Sequence, residues 1–227
     1  MKLSLVFLTL NEITGVSAIF PQIPLDAVDE VVAVDGGSKD GTREYFRDHG
    51  VRVLDQVSKG RGEAFRIAME EVTGDAVIFF SPDGNEDPAD IPKFRALLDQ
   101  GYDIVIASRM MRGAWNEEDG QFLKLRKWAN NGFNLLANLA FRRKGPYVTD
   151  SINGFRAITK EAFSKLSLDG AGYTIEYQMT IRAFKQRMRI VEFPTHESAR
   201  IGGESQAKSL PTGMRFLKLF FGELRSR

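Results

Sequence analysis

The chain has 227 residues, 43% hydrophobic and 27% charged, with 17 Phe and a formal net charge of +1, a composition that buries a core and excludes intrinsic disorder. With no Cys and two His, it excludes disulfide scaffolds, thiolate metal sites, a cysteine nucleophile and multi-histidine metal centres, and it suits a reducing cytoplasm. Any metal is expected to be a hard cation on oxygen ligands.

In chain order, the first apolar run, Leu3–Leu8, passes straight into Asn11-Glu12 with no small-residue cleavage site, so it is expected to be a buried strand rather than a leader. A helix follows around Ile13–Phe20, then a strand at Glu30–Val34, a helix at Thr42–His49 and a short strand at Arg52–Leu54. Gly62–Glu71 reads as a helix with Ala64, Phe65, Ala68 and Met69 on one stripe, before a strand at Ala76–Phe80, a helix at Pro88–Gln100 and a strand at Ile104–Ala107. The second half begins with a long amphipathic helix, Phe122–Phe141, then a turn at Lys144–Pro146 and the segment Thr149–Arg156. Helices at Lys160–Leu166 and Ile175–Arg187, a strand at Arg189–Phe193 and a helix at Thr212–Arg225 complete the chain. No segment approaches the roughly 18–20 apolar residues that span a bilayer.

This alternation predicts an α/β fold with a mixed, mostly parallel sheet covered by helices on both faces. Ligands of such sheets bind beyond the carboxyl ends of the strands, where Asn11-Glu12, Asp35, Asp83 and Arg109 fall. The charge is uneven. Eight Lys/Arg between Arg109 and Lys144 face three acids, and six between Arg200 and Arg227 face two, so an acidic body carries two basic segments suited to an anionic partner.

Two segments carry chemistry. Asp35–Thr42 (DGGSKDGT) follows a strand and opens a helix; its glycines permit a tight turn, and Asp35 can accept hydrogen bonds from a base or ribose. It is neither a GxGxxG fingerprint nor a phosphate loop. Ser81–Asn85 (SPDGN) follows the most hydrophobic strand, and a carboxylate (Asp83) and an amide oxygen (Asn85) two residues apart can bind one Mg²⁺ or Mn²⁺.

These segments occur in the order and spacing of a known family. TLNE (Thr9–Glu12), DGGSKDGT, KGRGEA (Lys59–Ala64), SPDGNEDPADIP (Ser81–Pro92), ASRM (Ala107–Met110), DSINGFRA (Asp150–Ala157), GYTIEYQMTIRAF and RIVEFPTHESARIGGESQAK resemble the motifs of inverting family-2 glycosyltransferases of GT-A fold. Within them the chain is similar to the polyprenyl-phosphate sugar transferases, the group of dolichyl-phosphate mannose synthase. It departs from the pattern at Gly36, where a second Asp is usual, at Ser81, which replaces the first Asp of the DxD, and between Gly203 and Lys208, where one residue is added.

The resemblance implies a Rossmann-like nucleotide-binding GT-A domain over residues 1–210 with a basic amphipathic helix at 211–227. It implies a nucleotide sugar held by Thr9, Asn11, Glu12, Asp35, Gly37, Ser38, Arg61, Ser81 and Asp83, with Mg²⁺ or Mn²⁺ on Asp83 and Asn85. Arg109, Arg126, Asn130, Arg200, Ser205 and Lys208 are the expected grip on a polyprenyl phosphate, and Asp83, Arg109, Asp150 and Glu176 the catalytic set. With a hydroxyl acceptor instead, a base is needed, and Asp150 or Glu176 would supply it. The expected partners are the nucleotide sugar, the lipid phosphate, a membrane surface met peripherally on its cytoplasmic side, and a membrane-anchoring protein or a second copy. No nucleic acid is expected.

Overall fold

The computed structural model describes residues 1–201 and 209–226. Among the described residues seven strands and eight α-helices follow in the order β1 (Leu3–Thr9), α1 (Ile13–Ile19), β2 (Glu30–Asp35), α2 (Thr42–Asp48), β3 (Arg52–Asp55), α3 (Arg61–Glu71), β4 (Ala76–Phe80), α4 (Ile91–Leu98), β5 (Ile104–Ser108), α5 (Leu125–Phe141), β6 (Arg156–Thr159), α6 (Lys160–Leu166), α7 (Ile175–Lys185), β7 (Ile190–Pro194) and α8 (Ser209–Arg225). β1, β4 and β5 are buried at every position, as continuous apolar runs require when helices cover both faces.

The strands form one sheet in the order β3-β2-β1-β4-β6-β5-β7. β6 runs antiparallel to β4 and β5, and every other pairing is parallel. The carboxyl ends of six strands and the segment entering β6 therefore share one edge, where the site lies. One core packs α3, α5, α6, α7 and α8 on one face through residues such as Phe65, Phe79, Tyr177 and Phe216. The other packs α1, α2 and α4 through Phe7, Phe46, Phe80, Phe94 and Phe155.

Three expectations change. Pro88–Gln100 is a 3-10 turn at Pro88–Asp90 and then α4, whose first turn holds Pro92. The long amphipathic helix begins at Leu125 rather than Phe122. The segment Thr149–Arg156 is a loop ending in β6, whose four residues offer no legible period-two pattern. Its Arg156 is fully buried among strands.

Candidate active site

The first wall is a pair of interlocked turns. Beyond β1, the amide of Asn11 donates to the Ser38 hydroxyl at 2.8 Å, the amide of Lys39 donates to Asn11 Oδ1 at 2.9 Å, and the amide of Glu12 donates to Thr42 Oγ1 at 2.9 Å. Asp35 ties this together: its Oδ1 accepts from the amides of Gly37 and Ser38, and its Oδ2 from the hydroxyls of Thr9 and Ser38. The structure places Asp35, expected to read a base or ribose, at the root of this turn. Its carboxylate is 1% exposed, its oxygens are satisfied internally, and it shapes the turn. Thr9, Leu10, Glu12, Gly36, Gly37 and Lys39 face a cavity of about 880 Å³, of a size that holds a nucleotide-like ligand.

The opposite wall is built on α3 and the loop before α7. A Cβ at Gly62 would lie 1.8 Å from the Gly170 carbonyl oxygen and one at Gly60 2.0 Å from that of Ala171, so only glycine admits this approach. Gly62→Ala is expected to destabilise the fold by about 3 kcal/mol, read as a lowered urea midpoint. Arg61, at the start of α3, ion-pairs with Glu176 through its Nε and approaches the Ser81 hydroxyl at 3.5 Å. Gly154 makes room for that guanidinium, since a Cβ there would fall 2.1 Å from Arg61 Nη2. Arg61 faces the cavity as expected. Glu176 does not: it is 2% exposed and lies beneath the arginine, because α7 buries its entire first turn.

At the floor, Ser81–Asn85 follows β4. A Cβ at Gly15 would meet the Pro82 carbonyl oxygen at 2.3 Å, and one at Gly84 would meet Ile201 at 2.5 Å, so the turn is clasped from α1 and from the segment after β7. Burial pushes the Asp83 carboxyl above its ordinary range. Arg200 offsets that burial by donating from Nη1 to Asp83 Oδ2 at 2.5 Å while its Nη2 engages Glu12. The Asp83 carboxylate and the Asn85 amide oxygen are hard donors suited to Mg²⁺ or Mn²⁺, and the Arg200 guanidinium already sets one positive charge on Asp83. Among the described residues no cluster of three His, Cys, Asp or Glu forms a metal cage, so a metal here depends on donor oxygens for its remaining ligands.

Beyond Asp83 lies a smaller cavity of about 150 Å³, lined by Ser81, Asp83, Asn85, Glu86, Arg109, Arg126, Asn153, Phe155, Thr195 and Glu197. Arg109 lies against it, yet its guanidinium donates to both oxygens of Asp150 at 2.7 and 3.0 Å and to Glu197 at 2.9 Å. Arg109, expected to grip a phosphate, lines this cavity while paired with two carboxylates. Asp150 is fully buried beneath it and holds the Arg109 guanidinium with both carboxylate oxygens. Arg126 remains half exposed, pairs with Glu117 at 2.5 Å and lines both cavities. Asn130 sits half-buried on α5 and lines neither. Ser205 and Lys208 lie outside the described residues.

Three functional neighbours escaped the sequence reading. Glu86 accepts from the amide of Ser81 at 2.7 Å; its burial and the nearby Asp83 carboxylate push its pKa well above the usual carboxylate range. Glu197 holds Arg109 and Asn116, but nothing in THES marks it as a partner of a residue 88 positions earlier. Arg156 donates to the carbonyls of Ser151, Asn153 and Glu176 at 2.6–3.1 Å, fixing the loop that carries Asp150 and Asn153. Burial lowers its pKa to about 10.

The family model of glycosyl transferase family 2 matches residues 16–167. The dolichyl-phosphate hexose transferase of Haloferax volcanii is 30% identical over 203 residues, covering 88% of this chain and 84% of its own. The glycosyltransferase AglJ of the same organism is 29% identical over 193 residues, and the dolichol-phosphate mannosyltransferase of Pyrococcus furiosus 28% over 216, covering 82% and 92% of this chain respectively. The chain spans 60% of the length of each of these two. Glucosyl-3-phosphoglycerate synthase from Mycobacterium tuberculosis, solved in complex with UDP, superposes with a TM-score of 0.76 at 22% identity over 98% of this chain and 80% of that one, a likeness of fold. The same enzyme has been solved with Mn²⁺, UDP-glucose and phosphoglyceric acid.

Proposed function

The chain belongs to glycosyl transferase family 2, and from that premise we propose that it moves a hexosyl group, with inversion, from a GDP- or UDP-linked sugar to a polyprenyl phosphate. The observation that carries this is the state of the carboxylates. Asp150 and Glu176, the two candidate bases, are buried under Arg109 and Arg61, leaving the cleft suited to an acceptor that needs no base. A phosphate monoester is such an acceptor, being largely ionised near neutral pH with a second pKa of about 6. The names of the dolichyl-phosphate hexose transferase and the dolichol-phosphate mannosyltransferase favour the same acceptor.

In this reading the nucleotide lies in the larger cavity against the interlocked turns, and Asp83 with Asn85 holds Mg²⁺ or Mn²⁺. That ion would neutralise charge on the leaving diphosphate. Arg61, locked by Glu176, adds a fixed positive charge beside Ser81, which stabilises developing charge without reorganisation. Arg126 and Arg200 at the mouth grip the acceptor phosphate, for which guanidinium forks are suited, and alignment of acceptor against donor does the remaining work. Short-chain polyprenyl phosphate incubated with GDP-mannose, UDP-glucose or UDP-N-acetylglucosamine and Mn²⁺ should yield an acid-labile lipid-linked sugar by mass spectrometry. Transfer to a glycoside hydroxyl but never to lipid phosphate would favour the second reading, a sugar-hydroxyl acceptor with Glu86 as the carboxyl within the smaller cavity.

A membrane surface is the proposed meeting place. α5 buries Asn134, Ala137, Asn138 and Phe141, and its other face exposes Leu125, Trp128, Leu135, Leu136 and Leu139, the last at 76%. Lys124 and Arg126 flank this stripe at one end and Arg142, Arg143 and Lys144 at the other, the pattern of an interfacial helix. α8 turns Phe216 and Phe220 into the core and leaves Met214, Leu217 and Phe221 exposed, so its expected interfacial role narrows to one arc. Among the described residues no helix is long and apolar enough to cross a membrane. Replacing Trp128 and Leu139 together by Glu should lower co-sedimentation with anionic vesicles at least ~10-fold, since each apolar side chain contributes roughly 1.5–3 kcal/mol on burial, with an unchanged melting temperature. Equal sedimentation of both proteins would point to an anchoring partner or a second copy on that face.

A further inference from the structure

We propose that Arg200 is a built-in counter-cation of the metal position: Asp83 and Asn85 would hold a divalent cation in competition with the Arg200 guanidinium, and Arg200, once off Asp83, would turn toward the acceptor. The inference rests on the reading of Asp83 and Asn85 as metal ligands and adds a competitor for Asp83.

The segment after β7 engages each of those ligands. Arg200 Nη1 donates to Asp83 Oδ2 at 2.5 Å. The Asn85 side-chain amide donates to the Ser198 carbonyl at 2.7 Å, and the Ser198 amide donates to the Asn85 carbonyl at 3.0 Å. The Ile201 amide donates to the Asp83 carbonyl at 2.7 Å, and Ile201 packs over Gly84. At its other end the segment is moored by Glu197, which holds Arg109 and Asn116, and by Trp115, which pairs with Thr195 and Glu197. One strap thus places a guanidinium on the carboxylate that a divalent ion needs. A divalent ion and a guanidinium on one carboxylate repel each other, and the other oxygen, Oδ1, already accepts from the Asn85 amide at 3.1 Å. Glu12, which holds the other arm of Arg200, keeps the displaced guanidinium at the rim of the cleft. An order of events would follow: with Asp83 on Arg200 the acceptor would lack one of its clamps, and with Arg200 off Asp83 that clamp would be supplied.

The test is Mn²⁺ binding to the ligand-free chain, followed by electron paramagnetic resonance, for the wild type, Arg200→Gln, Arg200→Lys and Asp83→Asn. Removing the competing charge in Arg200→Gln should tighten Mn²⁺ at least ~10-fold, whereas Arg200→Lys, which keeps the charge, should stay within about 3-fold of the wild type. In a Trp128→Phe background, Mg²⁺ should also shift the fluorescence of Trp115, and the Arg200→Gln variant should show the shifted spectrum before Mg²⁺ is added. Unchanged or weaker Mn²⁺ binding in Arg200→Gln would overturn the proposal while leaving the metal site intact. Equal Mn²⁺ binding by Asp83→Asn and the wild type would instead remove the metal site itself, and the function proposed through it.

Discussion

Asp83→Asn is expected to lower turnover by at least ~10²-fold at saturating donor and Mn²⁺, the scale of losing a principal electrostatic stabiliser. The amide keeps the shape of the side chain and can still accept from the Asn85 amide, which donates to Asp83 Oδ1 at 3.1 Å. It lacks the charge that balances both a divalent ion and Arg200. Asp83 is already destabilised by burial, so the melting temperature without ligand should barely move. Ser81→Ala should cost far less, because Ser81 receives only a 3.5 Å contact from Arg61 and a hydroxyl is a poor ligand for a hard cation. The measurement is steady-state sugar transfer with and without a chelator. Full activity of Asp83→Asn in the chelator would leave the diphosphate to Arg61 and backbone amides.

Arg109→Leu is expected to cost about 3–5 kcal/mol of folding stability, the usual consequence of removing one partner from a buried ion pair. Asp150 is wholly buried and Glu197 nearly so; without the guanidinium both carboxylates face one another across a low-dielectric pocket. Arg126→Ala is the contrast. Its side chain is 52% exposed, so the fold should be unaffected, while KM for the lipid phosphate rises with little change in donor affinity. Urea unfolding separates the two arginines: equal midpoints for Arg109→Leu and the wild type would mean that the Asp150–Arg109–Glu197 cluster does not support the fold.

Much of the site was legible because its residues lie in contiguous turns directly after strands. The SPDGN and DGGSKDGT turns and the cleft edge follow from local pattern plus the rule that parallel sheets bind ligands at their carboxyl ends, whereas Arg61 was marked by the family resemblance of KGRGEA. Roles assigned to individual charged residues were less legible. Asp35, Asp150 and Glu176 look like substrate-facing carboxylates in one dimension, yet each is consumed by internal donors: two backbone amides and two hydroxyls for Asp35, Arg109 for Asp150 and Arg61 for Glu176. Glu86 and Glu197 lie within motif-bearing segments, but their own contacts, to the Ser81 amide and to Arg109, arise only through folding.

The sequence by itself determined the layer architecture, the edge at which the site lies and the apolar faces of α5 and α8. Each depends on periodicity and turn chemistry, which neighbours along the chain impose. Only the tertiary structure decided which carboxylates are free to meet a ligand and which are held by arginines. Ion pairing in a buried site depends on distance and desolvation between residues 41 to 188 positions apart, and nothing in local pattern encodes either quantity.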